Sequence, residues 1–419
     1  MKECTLESVV TSMPTWETLE DWARLSVQGL LQRVLEEEVT ELLGRRRYKR
    51  RSDVDANPGS RNGHGKPRRL SLMSGTIKIR RPRVRGLEER FESRLLPLFM
   101  RRTQEVTQML PELYLHGLSQ GDFELALRGL LGDGAPLSSS SIARLRAKWE
   151  EEFETWQERR LDDRELVYAW ADGIYVKAGL EKDKAALLVV IGAMSDGSKE
   201  VLAIQPGYRE STESWLKLLC DLRDRGLSVP LLLMADGGLP IWSAVDQVWP
   251  EAGQQRCWNH KIINVLNDLP KHAQGKARAL LTQIPYAETQ EEAEARRDTF
   301  VARYRDRYPA AVETLERDWE RMVTFYDFPE QHWQHLRTTN PVESPFASVR
   351  LRTNAGKRYK RVQGATALIW RLLMVAETRF RKLNAYELLQ DVYEGKKYND
   401  GKPIEQTQPP TEVPLKEAA

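Results

Sequence analysis

The chain has 419 residues, of which 30% are charged, and 64 Lys+Arg against 61 Asp+Glu leave a formal net charge of +3. This length suggests two or three domains. The longest apolar run, Ala185–Met194, is far shorter than the ~20 residues of a membrane span. Three widely spaced cysteines form no disulfide framework and indicate a reducing cytosol. The composition therefore argues against a membrane protein and against a disulfide-stapled secreted domain.

The positive charge is concentrated in one segment. Between Arg45 and Arg85, fifteen Lys+Arg stand against two Asp, a local net charge of +13, so the rest of the chain carries −10. Such a block is typical of nucleic-acid binding, although Asn57–Gly63 also fits a solvated basic linker. Thr76–Arg80 alternates apolar and polar residues, mostly basic, as in a strand with one cationic face. We predict DNA contact through Arg45, Arg46, Arg47, Lys49, Arg50, Arg68, Arg69, Lys78 and Arg80.

The segments on either side of the basic block have helical patterns. Residues 16–43 predict an acidic amphipathic helix that packs against a partner or a core. Farther on, a short helix at Phe123–Leu131, a turn at Gly132–Pro136 and a helix from Ser139 to Lys148 resemble a helix-turn-helix. Most helical hairpins bind no DNA, but the neighbouring basic block favours a DNA-reading role for this one, with Ser139–Lys148 as the recognition helix.

After residue 165 the pattern changes to strands. Apolar runs predict three antiparallel strands, a helix capped by Ser211, a fourth strand, a further helix, a purely helical block over 262–335, and a last helix. The strands are Leu166–Val176, Ala185–Met194, Val201–Gln205 and Val229–Met234, and the later helices are Pro240–Val248 and Ala365–Leu383. A polar tail from Asn399 is predicted to be disordered. The fold class is therefore α/β with a mixed sheet.

Two acidic residues follow apolar strands directly. Asp172 lies within the first strand and Asp236 lies at the end of the fourth. If these strands are neighbours, the two carboxylates lie side by side, which suits a divalent cation. The alternative is that both Asp-Gly pairs are ordinary turns, as they are at three other places in the chain.

A third acid, Glu343, precedes a second basic patch. Asn340 and Glu343 also fit a capping box with Pro341 at the first helical position, a role compatible with metal binding. The basic patch that follows would place cations beside the metal, where they can neutralise phosphates. Its candidate DNA-binding residues are Arg350, Arg352, Lys357, Arg358 and Arg361.

Four motifs together resemble the Mutator-type bacterial insertion-sequence transposases. They are Ala171–Lys177, Met234–Gly237, Gln255–His260 and Thr338–Ser344, and the resemblance extends over nearly the whole chain. It implies an RNase H-like core interrupted by an all-α insertion, with Asp172, Asp236 and Glu343 as a DDE catalytic triad. The implied layout is an N-terminal helical region (1–44), a basic β-hairpin segment (45–100), a helix-turn-helix domain (101–160), the first part of the core (161–261), the insertion (262–335), the second part of the core (336–395) and a disordered tail (396–419).

The resemblance also implies the chemistry. Two Mg²⁺ ions, replaceable by Mn²⁺, would be held by Asp172 between them and by Asp236 and Glu343 individually, for cleavage and strand transfer at terminal inverted repeats. Joining two ends calls for at least a dimer on DNA. The absence of a Walker A motif predicts no nucleotide cofactor. The alternative functions are a catalytically inactive transposase-derived DNA-binding protein and a different RNase H-like nuclease, such as a junction resolvase.

Three details remain open in the sequence. Cys257 and His260 match the family's Cys-x-x-His signature, and because zinc needs four ligands a packing or DNA-positioning role is favoured over a zinc site. Pro345 departs from the family pattern and predicts a late or distorted helix start beside Glu343. His332 and His335 lack the Glu of a zinc protease motif and are predicted to be exposed helix residues.

Overall fold

The computed structural model describes residues 14–50, 57–115, 126, 128, 131, 139–177, 185–207, 210–355, 359 and 361–404. The chain divides into two compact units, Met1–Leu145 and Arg146–Ala419. Within the described residues, no helix combines the length and the apolar character needed to cross a membrane.

The described part of the first unit begins with one long helix and four short strands. After a 3₁₀ turn at Trp16–Thr18, helix α1 runs from Leu19 to Leu43 and ends at Gly44, whose φ of 63° lies in the left-handed region that glycine favours. The four strands are β1 (Ser60–His64), β2 (Arg68–Leu72), β3 (Gly75–Ile79) and β4 (Pro82–Arg85). Strands β2 and β3 form an antiparallel hairpin, and β1 pairs with β4. The predicted basic β-hairpin is therefore present.

The alternation of β3 separates its two faces as predicted. Ile77 and Ile79 are buried, and they form a small core with Leu35, Leu70 and Leu96. Lys78 and the following Arg80 are exposed. Helix α1 also contacts the backbone of this hairpin, because the Gln32 amide donates to Arg80 O at 2.8 Å and accepts from Arg80 N at 2.9 Å. The predicted packing role of α1 is thus met within its own unit.

The acids of α1 neutralise part of the basic block. Glu36 pairs with Arg61 at 3.3 Å and with His64 at 2.5 Å. Arg45 is also engaged, since its guanidinium donates to the carbonyl oxygens of Asn57 and Gly59. These cations hold the end of α1 to the strand region and are less available to a ligand than the cations of β3.

Two further helices follow the basic strands in the chain and precede the strands of the large sheet. They are α2 (Gln104–Leu115) and α3 (Ser139–Gln157), and the division between the two units falls within α3. The predicted recognition helix, Ser139–Lys148, corresponds to the first part of α3. The predicted helix Phe123–Leu131 lies almost entirely outside the described residues, and the turn Gly132–Pro136 lies wholly outside them. The helix-turn-helix therefore stays a prediction.

The second unit is built on a mixed five-stranded sheet in the order β7-β6-β5-β8-β9. Strands β5, β6 and β7 are antiparallel, whereas β5, β8 and β9 run parallel to one another. The bounds are β5 (Leu166–Val176), β6 (Ala185–Met194), β7 (Lys199–Gly207), β8 (Leu232–Ala235) and β9 (Gly253–Arg256). The prediction of three antiparallel strands and a fourth strand is confirmed, but β9 was not predicted.

Two helices cover one face of the sheet. Helix α4 (Thr212–Asp224) begins at Ser211, whose hydroxyl accepts from Ser214 N as predicted for its cap, and α5 (Leu239–Val248) follows β8. Their apolar residues, among them Trp215 and Trp242, join those of β5, β6 and β8 in one buried core. This core fixes the ends of β5 and β8, on which the candidate site is built.

The predicted helical block is confirmed over the region after β9, where no strand interrupts the described chain before Tyr398. It contains α6 (Trp258–Asn267), α7 (Lys271–Leu281), α8 (Gln290–Tyr304), α9 (Pro309–Glu316), α10 (Glu320–Val323) and α11 (Trp333–Leu336). Three 3₁₀ turns connect them, at Ile284–Tyr286, Thr324–Asp327 and Glu330–His332.

The chain then returns to the sheet through α12 (Asn340–Ala355), α13 (Val362–Glu377) and α14 (Leu388–Tyr393). The predicted disordered tail is wrong at its start, because β10 (Tyr398–Asn399) pairs with β11 (Lys402–Pro403). Asp400 and Gly401 form the turn, Gly401 N donates to Tyr326 O at 3.1 Å, and Tyr398 is buried. These contacts with the helical block order a polar segment. Residues from 405 onward lie outside the described part.

The prediction that His332 and His335 are exposed is also wrong. His332 is completely buried, with Nδ1 2.9 Å from the Tyr168 hydroxyl and Nε2 3.0 Å from Ala385 O. His335 Nε2 accepts from Asn384 N at 3.1 Å, and its carbonyl accepts from Trp170 Nε1 at 3.0 Å. The two residues connect the end of the helical block to β5, a tertiary role that has no local sequence signal.

The half-buried His335 predicts a loss of stability in mild acid. Burial lowers the pKa of His335 from 6.5 to about 4, with smaller contributions from Lys199 and His332. Between pH 6.5 and 4 the unfolded chain therefore binds a proton that the folded chain does not, and the free energy of unfolding falls as the pH falls. We expect this effect to reach about 2 kcal/mol after allowance for solvent screening.

The measurement is urea unfolding at pH 7.5 and pH 5.0. His335→Gln keeps an acceptor for Asn384 N but cannot titrate, so it should lose less stability between the two pH values than the wild type. The exposed His272 on α7 supplies the control His272→Gln, which should behave as the wild type. Equal acid sensitivity of His335→Gln and the wild type would contradict the assignment.

Candidate active site

Asp172 and Asp236 meet at the ends of neighbouring parallel strands. In the register of β5 with β8, Ala171 pairs with Ala235, so the two aspartates occupy the next position on each strand. Both line the same small cleft, together with Trp215 and Gly238. The condition that the sequence left open, that the two strands be neighbours, is therefore met.

Asp236 is held by the strand that the sequence did not reveal. Gly237 has a φ of 99°, and a Cβ at this position would overlap the Arg256 side chain. Arg256, the last residue of β9, donates through Nε to Asp236 O at 3.2 Å and pairs with Asp318 at 3.3 Å. The Asp236-Gly237 turn thus lets an arginine fix the backbone beside the carboxylate. The Asp236-Gly237 pair therefore forms a turn and also places a carboxylate in the candidate site.

Glu343 enters the site from α12, which packs against β5 and β6. The helix begins at Asn340, so the residue before its first turn is Thr339 and not Asn340, contrary to the predicted capping box. The Thr339 hydroxyl donates to Glu343 Oε1, and Thr339 O accepts from Glu343 N at 3.0 Å. Pro345 lies inside a helix that continues to Ala355, so the predicted late start is not observed.

Cys257 and His260 lie at the start of α6, beside the same acids. His260 Nδ1 is 3.4 Å from Asp236 Oδ1 and 3.9 Å from Glu343 Oε1. Cys257 is completely buried, and its Sγ accepts from Thr339 N at 3.4 Å. The two signature residues therefore have different contacts: the cysteine packs against the start of the helix that carries Glu343, and the histidine lies between the carboxylates.

The electrostatics of the site reflect this crowding. Burial, with the negative charges of Glu343 and Glu210, raises the pKa of Asp172 to about 7 against a hydrogen bond from Gly173 N that lowers it. A hydrogen bond with Cys257, followed by the charges of Cys257, Asp236 and Glu343, raises the pKa of His260 to about 9 despite its burial. At neutral pH the imidazole is therefore protonated and supplies a positive charge among the acids.

One acid of the cleft, Glu210, was missed by the sequence reasoning. It follows β7 and precedes the Ser211 cap, and it lines the cleft with Asp172 and Asp236. Burial and the charge of Asp236 raise its pKa, although a hydrogen bond with Tyr175 lowers it. No local pattern marks Glu210 as a site residue, because only the pairing of β7, β6 and β5 brings the end of β7 near Asp172.

The donors at the site fit a hard divalent cation. Carboxylate oxygens are the ligands that Mg²⁺ and Mn²⁺ prefer, and partly buried carboxylates in one cleft repel one another without a counter-ion. Among the described residues, the group of three possible ligand atoms within 4.8 Å of one another consists of a sulfur of Cys257, a nitrogen of His260 and an oxygen of Glu343, without either aspartate. The buried sulfur already accepts from Thr339 N, so the contacts of Cys257 are those of a packing residue.

The predicted DNA-binding residues differ in their exposure. Arg46, Arg47, Lys49, Arg50, Arg69, Lys78 and Arg80 are exposed in the first unit, while Arg45 and Arg68 are half-buried. On α12, Arg350 is exposed, but Arg352 has only 3% of its surface accessible and is not a surface cation. Arg361 is exposed and pairs with Glu150 at 3.6 Å, whereas Lys357 and Arg358 lie outside the described residues.

The fold and the site define a class: a mixed α/β protein with acidic side chains at the ends of adjacent parallel strands and a strongly basic segment elsewhere in the chain. Sequence comparison agrees with this class. The profile of the transposases of the Mutator family matches residues 2–382. The chain therefore belongs to the Mutator family of transposases.

Individual relatives support the same assignment. The chain is 43% identical over 308 residues, 74% of its length and 94% of the relative's, to the transposase for insertion sequence element IS6120 of Mycolicibacterium smegmatis. It is 42% identical over 286 residues, 68% of its length and 97% of the relative's, to the transposase for IST2 of Acidithiobacillus ferrooxidans. It is 28% identical over 380 residues, 90% and 93% of the two chains, to the transposase for ISRM5 of Rhizobium meliloti (strain 1021).

Proposed function

We propose that this transposase binds the terminal inverted repeats of an insertion sequence and cleaves and joins DNA strands with an RNase H-like core. The observation that carries the proposal is the convergence of Asp172, Asp236 and Glu343, from three separate parts of the chain, on one end of the sheet. The sheet order, with three antiparallel strands followed by two parallel ones, supports the RNase H-like assignment.

Asp172, Asp236 and Glu343 would hold two Mg²⁺ ions, for which Mn²⁺ can substitute. Bound there, the cations would activate water or a DNA 3′-hydroxyl and stabilise the leaving 3′ oxygen. The protein's own contribution is positional. Arg256 holds the backbone of Asp236, Thr339 holds the carboxylate of Glu343, and His260 lies beside both Asp236 and Glu343.

The DNA would be bound by the exposed cations of the basic block and by Arg350, which lies on the same helix as Glu343. Such contacts neutralise phosphates and release counter-ions, so they govern the salt dependence of binding. Recognition of two element ends in one reaction calls for two copies of the chain on DNA. Arg352 is not included, because its burial removes it from the surface.

The test is cleavage of a labelled duplex from the ends of the insertion sequence that carries the gene. The purified full chain should nick this duplex in Mg²⁺ or Mn²⁺ and should not do so in EDTA. Binding without cleavage under any divalent cation would favour the alternative, a transposase-derived DNA-binding protein without catalytic activity.

The basic block makes a separate prediction about binding. Replacing Lys78 and Arg80 by Ala should lower the slope of log K against log salt concentration by about 2, because each phosphate contact contributes about 1. The measurement is fluorescence anisotropy of labelled duplex DNA over a series of NaCl concentrations. The double variant Lys271→Ala/Lys276→Ala, exposed on α7, is the matched control. An unchanged slope would show that the hairpin of β2 and β3 does not contact the DNA.

A further inference from the structure

Two acids of the proposed triad, Asp172 and Asp236, share their cleft with a further carboxylate. Glu210 lies after β7 and lines this cleft together with Asp172 and Asp236. Its surroundings are a hydrogen bond with Tyr175 and the charges of Asp236 and His260. Its neighbours are thus the groups of the acidic site.

Gly173 makes the position of this carboxylate possible. Gly173 lies directly after Asp172 within β5, and a Cβ built on it would overlap Oε1 and Cδ of Glu210. The φ of Gly173 is not in the left-handed region, so the backbone itself does not require glycine here. The missing side chain leaves room for the Glu210 carboxylate to lie against the strand that carries Asp172.

Tyr175 lies two residues beyond Gly173 on the same strand and hydrogen-bonds to Glu210. A carboxylate that is brought against a strand by a glycine and hydrogen-bonded by a tyrosine two residues away has a defined orientation. Because it is placed among other acids, this orientation adds to their mutual repulsion in the absence of a cation. Hard divalent cations take several oxygen ligands, and an additional carboxylate increases the ligand number.

We propose that Glu210 is a fourth metal-binding carboxylate of this transposase, held in place by the space that Gly173 leaves and by Tyr175. This inference rests on the proposed function, since it assigns Glu210 to the same cation site as Asp172, Asp236 and Glu343. The reaction class is unchanged, and the site gains a ligand from the segment between β7 and α4.

Two measurements test the proposal. Binding of Mn²⁺ alone to the full chain is measured by titration calorimetry, and the melting temperature is measured with and without Mn²⁺. Glu210→Gln should weaken Mn²⁺ binding about tenfold or more, the range seen when a group that supports a metal site is removed. The same variant should raise the melting temperature of the metal-free chain, because one of the mutually repelling charges is gone. A merely structural role predicts the reverse, a lower metal-free melting temperature with unchanged Mn²⁺ affinity.

The chain offers a matched control and an independent second variant. Glu213 is exposed on α4, three residues from Glu210, and Glu213→Gln should leave Mn²⁺ binding unchanged. Gly173→Ala should displace the end of a flexible side chain and leave the backbone in place, so it should weaken Mn²⁺ binding as Glu210→Gln does. The double variant Glu210→Gln/Gly173→Ala should bind Mn²⁺ no more weakly than the weaker-binding of the two single variants, because both substitutions remove the same interaction.

Asp172→Asn separates the two levels of the proposal. If Asp172→Asn weakens Mn²⁺ binding and Glu210→Gln and Gly173→Ala do not, Glu210 is not a ligand and the three-acid site stands. If the wild type binds no Mn²⁺, or if Asp172→Asn binds it as the wild type does, the cation site itself is wrong and the inference falls with it.

Discussion

Asp236→Asn should lower the rate of cleavage of element-end DNA by at least about a thousandfold while leaving DNA affinity within about twofold. The substitution keeps the size of the side chain but removes a negative charge from the end of β8, where Arg256 holds the backbone. An amide is a poor ligand for a hard divalent cation compared with a carboxylate. The phosphate contacts of the basic block are not altered. Cleavage is measured on labelled duplex in Mg²⁺ and affinity by anisotropy.

The matched control is Asp298→Asn on α8, where the side chain is 66% exposed. This variant removes the same charge far along the chain from the site and should cleave as the wild type does. Cleavage by Asp236→Asn at the wild-type rate would show that Asp236 is not catalytic. Loss of binding and cleavage together would instead indicate that the site helps to hold the DNA.

His260→Gln should lower the cleavage rate by about 10- to 100-fold, the effect expected for a group that orients metal ligands. The imidazole lies beside Asp236 and Glu343, and in the metal-free chain it is positively charged at neutral pH, since its pKa is raised to about 9. Glutamine keeps a polar side chain but removes this charge. The two carboxylates should then be less well placed, and kcat should fall more than DNA affinity.

The same variant has a stability signature that does not depend on activity. A histidine whose pKa is raised on folding contributes stability that is fully present below about pH 6.5 and is lost as the pH rises through about 9. In metal-free buffer, His260→Gln should therefore be less stable than the wild type at pH 6.5, with the difference shrinking toward pH 9.5. Urea unfolding of both proteins, with His272→Gln as control, measures this difference. A constant difference across this pH range would contradict a charged His260.

The strands of the core were predictable because their residues carry a strong local signal. Leu166–Val176 and Ala185–Met194 are continuous apolar runs, typical of strands covered on both faces, and the structure has the same bounds. Ser211 was predictable as a cap because a hydroxyl at a helix start satisfies a free backbone N–H. These elements placed Asp172 within the first strand and Asp236 at the end of the fourth, but left open whether the two strands are neighbours.

Other features have no local signal. Strand β9, Gly253–Arg256, is polar and short, and it is a strand because it pairs in parallel with β8. The burial of Arg352 and His332 depends on what packs over them, which a pattern of charges does not reveal. An exposed cation and a buried cation therefore cannot be distinguished from the sequence pattern alone.

The sequence by itself indicated the family, most elements of the core and three candidate acids, because contiguous apolar runs and short motifs encode these locally. Only the tertiary structure decided which residues surround these acids. It placed β8 beside β5, inserted Arg256 under Asp236, set His260 between two carboxylates and brought Glu210 against Gly173. These contacts join residues far apart in the chain, and their energies depend on distance and burial, which exist only once the sheet has formed.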